Sequence, residues 1–141
     1  MYRYSDAVTR GDWDAIAGVM TANAVWESPA LKLHFESPEP FLEFLRSTIT
    51  DDSVLFQTAH NPVIDFTGPD SATATTSINE LVRTPALNGN LYGVFFDELE
   101  RASDGWKFTH KRFVPMYTEV GGLTGTQVTP RPVLRPVRTG G

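Results

Sequence analysis

Four long segments of this chain, roughly 54–66, 72–84, 91–102 and 106–117, alternate apolar and polar side chains. Only short polar turns at Gly68-Pro69, Asn88-Gly89 and Asp104-Gly105 separate them. Alternation with a period of two gives each segment one face for a core and one for water. Turns this short leave antiparallel pairing of neighbours as the connection that fits. The second half is therefore expected to be an antiparallel meander.

The first half has a different texture. Tyr4, Ala7 and Val8 fall on one face of a short helix, and Gly11 stops it. Asp12 reads as the N-cap of a second helix with Trp13, Ile16, Ala17 and Met20 on its apolar stripe. Short strands follow at 24–28 and 31–36, split by Pro29-Ala30. Ser37-Pro38 then opens a third helix through Phe41, Leu42, Phe44, Leu45 and Ile49. The predicted fold class is α+β: a cone-shaped, curved antiparallel sheet wrapped over about three N-terminal helices, with a hollow between the layers.

The chain's 141 residues, 40% of them hydrophobic, suit one domain, expected over 1–119. The stretch 120–141 mixes glycine, threonine, proline and arginine without periodicity and reads as a C-terminal arm. There are no cysteines, which excludes disulfides and thiol chemistry. The formal charge is −5, and Arg131, Arg135 and Arg138 all lie in the arm, so the body is more acidic than the whole chain. Nucleic acid is not an expected partner of such a body. No apolar run suggests a membrane or export, and a cytoplasmic location is expected.

Chemistry enters through residues that break the apolar face. Along 54–66, Val54, Phe56, Thr58, His60, Ile64 and Phe66 share one face; along 72–82, Ala72, Ala74, Thr76, Ile78, Glu80 and Val82 share another. Joined by the turn Thr67-Gly68-Pro69-Asp70-Ser71, the two strands should bring the His60 imidazole and the Glu80 carboxylate together inside the cone. Two-residue turns at Asn88-Gly89 and Asp104-Gly105 extend the row. They place Asp97 across from Glu80 and Arg112 across from Asp97, with His110 also facing inward. Trp26, Phe35, Phe56, Ile78, Phe95 and Phe108 are the expected apolar wall for a guest. No metal-ligand spacing is present, so no metal or cofactor is expected.

Several motifs carry a family resemblance: Tyr4 with Gly11-Asp12-Trp13-Asp14, the Ala59-His60 strand, Ala72-Thr73-Ala74 after a turn, and Asp104-Gly105-Trp106-Lys107-Phe108. On these the chain, over 4 to about 119, resembles the SnoaL-like branch of the nuclear transport factor 2-like superfamily. Within it the chain is most similar to the bile acid 7α-dehydratases and more distantly to scytalone dehydratase. The resemblance implies catalysis by a helix tyrosine, a strand histidine and an acid on the next strand, at positions held here by Tyr4, His60 and Glu80, the last replacing the aspartate expected there. Thr9 and Pro115 stand where that family has an aspartate and an arginine.

An imidazole oriented by a carboxylate suits general acid/base work, because it titrates near working pH. The expected function is a cofactor-independent dehydratase or isomerase that moves protons on a hydrophobic, carbonyl-bearing molecule of steroid or polyketide type. The Tyr4 hydroxyl would donate to the developing enolate oxygen. A binding or assembly module without catalysis, and an epoxide hydrolase or cyclase using Asp97 with Arg112, are the other readings. Self-association into a dimer or trimer through the outer sheet face is also expected.

Overall fold

The computed structural model describes residues 1–126. Helix α1 (Tyr2–Arg10) ends at Gly11, whose φ of 64° is the left-handed conformation that glycine adopts without strain. Asp12 caps α2 (Trp13–Gly18) by accepting a hydrogen bond from the Ala15 amide at 3.1 Å. Met20, expected on the second helix, instead opens β1 (Met20–Ser28), because the helix stops at Gly18. A 3₁₀ turn (Pro29–Leu31), β2 (Leu33–Phe35) and α3 (Pro38–Thr48) complete the first half. The meander is β3 (Val54–Gly68), β4 (Ser71–Arg83), β5 (Asn88–Ala102) and β6 (Gly105–Glu119).

One six-stranded sheet results, in the order β2-β1-β6-β5-β4-β3, antiparallel except where β1 lies parallel to β6. Its inner face curves against the helices, and the α+β cone predicted from the sequence is the architecture observed. Tyr4, Ala7 and Val8 of α1 and Phe41, Leu42 and Leu45 of α3 pack on Trp26, Leu55, Ile78, Phe95, Phe108 and Phe113 of the sheet. Trp26 and Phe41 stack with centroids 4.7 Å apart. Residues 127–141, most of the predicted arm, lie outside the described residues. The part within them is tied down: Arg83 donates to the carbonyls of Leu123 and Gly125, and the Leu123 amide donates to Asn88 Oδ1.

Two β-bulges decide which side chains reach the inner face. On β3, Asn61 and Pro62 together oppose a single residue of β4, since His60 pairs with Ser77 and Val63 with Thr75. Asn61 takes a positive φ of 46°, and Pro62 has no amide for the ladder. Phe66 still faces Ala72 as predicted, but before the bulge the parity is inverted, so Ala59 faces Ile78 and Gln57 faces Glu80. On β6, Thr109 is the extra residue, because Phe108 pairs with Leu99 and His110 with Glu98. Lys111 therefore faces Asp97, where Arg112 was expected.

The link between β4 and β5 also differs from the expected turn. The chain reverses over Thr84–Leu87, where the Thr84 hydroxyl accepts from the amides of Ala86 and Leu87, and Asn88-Gly89 already belongs to β5. This places Leu91, not Asp97, across from Glu80, and Asp97 across from Ala74. The displacement is an even number of residues, so the predicted inner face of β5 is kept.

Candidate active site

A cavity of about 280 Å³ lies between the helices and the inner face of the sheet. Helix α1 supplies Tyr4 and Val8; α3 supplies Phe41, Phe44 and Leu45; the sheet supplies Trp26, Leu55, Ile78, Leu91, Phe95 and Phe113, with Leu31, Ala86 and Leu87 from the connecting segments. This lining is almost wholly apolar. Glu80 is the one carboxyl group among the described lining residues, and Gln57 stands beside it.

A chain of hydrogen bonds ties Glu80 to α1. The Ser5 hydroxyl donates to Gln57 Oε1 at 2.9 Å, and Gln57 Nε2 donates to Glu80 Oε2 at 2.8 Å. The backbone of Gln57 is held as well, because Thr9 Oγ1 accepts from its amide at 2.9 Å and donates to its carbonyl at 3.2 Å. Burial raises the Glu80 pKa above the ordinary carboxylate value, and the hydrogen bond from Gln57 offsets part of that rise. Tyr4 is buried, and its hydroxyl oxygen accepts from the Trp26 indole at 3.1 Å. Its own proton has no acceptor among the described residues and is available to a guest. Burial pushes the Tyr4 pKa upward, so it remains a neutral donor.

Behind this wall sits a second polar centre. Lys111 Nζ donates to both oxygens of Asp97, at 3.0 and 2.9 Å, and the residues are 1% and 3% exposed. The ammonium also lies 3.8, 4.2 and 4.4 Å from the ring centroids of Phe108, Phe95 and Tyr4. Burial raises the Asp97 pKa and lowers that of Lys111, and each partner offsets part of the other's shift.

Of the residues singled out from sequence, Tyr4, Glu80, Trp26, Ile78 and Phe95 meet at the cavity. His60 does not: the Asn61-Pro62 bulge turns it to the outer face, where it is exposed. Phe56 follows the same parity and is 57% exposed rather than part of the wall. Asp97 faces inward as expected but is absorbed by Lys111 and does not line the cavity. The Thr109 bulge sends Arg112 to the outer face, and His110 with it, its Nε2 3.4 Å from Glu27 Oε1. Phe108 is core, and Phe35 packs against Trp26, Phe41 and Phe44 without lining the cavity. Gln57, Ser5 and Lys111 went unrecognised. The dipeptide Asn61-Pro62 inside a strand is the signal that could have exposed Gln57; nothing in the sequence marks Thr109 as a bulge.

The sequence profile of the SnoaL-like domain matches residues 1–112. The chain belongs to the SnoaL-like family. Solved structures with the same SnoaL-like fold include the Kfla4162 protein from Kribbella flavida, at 18% identity and a TM-score of 0.74, covering 84% of this chain and 86% of the other. A candidate scytalone dehydratase from Novosphingobium aromaticivorans DSM 12444 matches at 18% identity, TM-score 0.71, with 87% and 83% covered. The hexachlorocyclohexane dehydrochlorinase LinA-type3 from Novosphingobium barchaimii LL02 matches at 19% identity, TM-score 0.69, with 92% and 88% covered. No curated protein sequence matches this member of the SnoaL-like family. Among its described residues no helix is long and apolar enough to cross a membrane.

Proposed function

We propose that the protein is a cofactor-independent lyase or isomerase that uses Glu80 as its acid/base group on a hydrophobic, carbonyl-bearing small molecule. The observation that carries this reading is one carboxyl group, its pKa raised by burial, in an otherwise apolar cavity. A raised pKa brings proton uptake and release closer to working pH, which is what a carboxyl group needs to serve first as base and then as acid. Two of the fold relatives bear the names of eliminating enzymes, a dehydratase and a dehydrochlorinase.

In the proposed dehydration the Glu80 carboxylate takes a proton from the carbon beside a guest carbonyl. The C–H electron pair becomes the enolate, and the Tyr4 hydroxyl donates to its oxygen, as donors placed for developing charge do. Collapse of the enolate forms the C=C bond and expels the β-hydroxyl, which takes the proton back from Glu80 and leaves as water. Turnover of a panel of β-hydroxy ketones, followed by the absorbance of the conjugated product, tests the reading. Glu80→Gln is expected to lower the rate ~10²–10⁴-fold, and an unchanged rate would refute it.

A binding module without chemistry is the second reading. It is favoured by one observation: an amide, Gln57, rather than an imidazole adjoins the carboxyl group. A guest that binds, is recovered unaltered and shows no exchange of its acidic protons would establish it. Self-association belongs to either reading, because Phe56, Tyr92, Phe96 and Tyr117 leave the outer sheet face apolar and exposed. Sedimentation of the protein as a monomer would remove that part.

A further inference from the structure

We propose that Ser5 and Gln57 are a positioning pair that engages one oxygen of the Glu80 carboxyl group and leaves the other, Oε1, as the atom that exchanges a proton with the guest. The proposal rests on the assignment of Glu80 as the acid/base group. Rotation about the last torsion of a glutamine side chain exchanges its oxygen and its nitrogen at little intrinsic cost. Thr9 pins the amide and the carbonyl of Gln57, so the backbone of this residue cannot shift to choose between the two ends. The choice falls to the side-chain partners.

Ser5 and Gln57 are 5% and 7% exposed, and polar atoms buried to this degree need partners from the protein. The Ser5 hydroxyl donates to the amide oxygen, which turns the NH₂ group toward Glu80, where it donates to Oε2. A proton on Oε2 would set two donors face to face. It resides instead on Oε1, which has no protein partner among the described residues, on a residue that lines the cavity. With the amide reversed, its oxygen would hold the acidic proton in an internal O–H···O=C bond, out of reach of the guest. Neither Ser5 nor Gln57 transfers a proton; both act through Glu80.

The test follows the Glu80 carboxyl carbon by ¹³C NMR across a pH titration of the full chain, with the resonance identified by its loss in Glu80→Gln. Gln57→Leu deletes the N–H that stabilises the carboxylate, so the Glu80 midpoint is expected to move up. Ser5→Ala, which frees the amide to turn, is expected to move it up by less, and Ser5→Thr, which keeps a hydroxyl, to titrate as wild type. A fall in Gln57→Leu would mean that the amide oxygen faces Glu80, and it overturns the proposal, as does an unchanged midpoint. An unchanged midpoint in Ser5→Ala overturns the role of Ser5. The readout is a titration, so it separates from the failure of the functional reading itself, which would appear as undiminished turnover in Glu80→Gln while these midpoints still shift.

Discussion

Replacing Asp97 by alanine leaves the Lys111 ammonium buried at 1% exposure with no counter-charge. Removing one partner of a buried, doubly hydrogen-bonded ion pair typically costs ~3–5 kcal/mol. Three aromatic faces within 4.4 Å of the nitrogen remain to stabilise the cation, each by about 0.5–2 kcal/mol when desolvated. They are present in the wild type as well and cancel in the difference, so the loss is at least about 3 kcal/mol. A domain with ~5–15 kcal/mol of total stability would lose a fifth or more of it. At a urea slope of roughly 2 kcal/mol per molar, the unfolding midpoint should fall by ~1.5 M. Burial already lowers the Lys111 pKa, and without Asp97 it falls further. The unfolded chain then binds the extra proton, so the variant should regain stability as pH rises through the range in which the buried amine is neutral. Lys111→Met combined with Asp97→Leu removes both charges and is expected to unfold at or above the wild-type midpoint. A single variant within 1 kcal/mol of wild type, or a double variant worse than the single, would refute the account of this pair as a desolvated core element.

Glu80 carries a pKa raised by burial, so the folded state holds its proton to higher pH than the unfolded chain does. Stability should therefore fall as pH rises from the ordinary carboxylate range through the Glu80 value, and thermal melts of Glu80→Gln should lack this component of the slope. His60→Ala should bind and turn over guests as the wild type does and change stability by no more than about 0.5 kcal/mol, since His60 is exposed on the outer face; loss of turnover would return the imidazole to the mechanism. Thr9→Val keeps the volume but orphans the buried Gln57 amide, and denaturant unfolding should register a loss of about 1–3 kcal/mol.

The parts of the fold legible in the sequence are those in which alternation runs unbroken. β4 and β5 keep a strict period of two from end to end, and the inner positions of Ile78, Glu80, Phe95 and Asp97 follow from it. That reading survived a misplaced turn because the slip was even. β3 and β6 are each interrupted by bulges, and past the ones at Asn61-Pro62 and at Thr109 the period continues with its faces exchanged. Gln57 in place of His60 and Lys111 in place of Arg112 are two instances of this one effect. The Asp97–Lys111 pair was hidden for another reason: a lysine in an alternating strand reads as a wet position, and only its acidic partner and ring neighbours make its burial tolerable.

The kink at Asn61-Pro62 gives this scaffold an unusual route of descent. Loss of a single codon there would remove the extra residue and leave the pairs on either side as they are, with Gln57 still facing Glu80 and His60 still outside; taking the extra residue into the ladder would instead slide the first half of β3 by one position and carry His60 in beside Glu80. Two chemistries, one built on an amide and one on an imidazole, thus lie a one-residue slip apart at constant chain length. A gapless alignment of this chain with a relative that lacks the bulge would pair residues on opposite faces of the same strand.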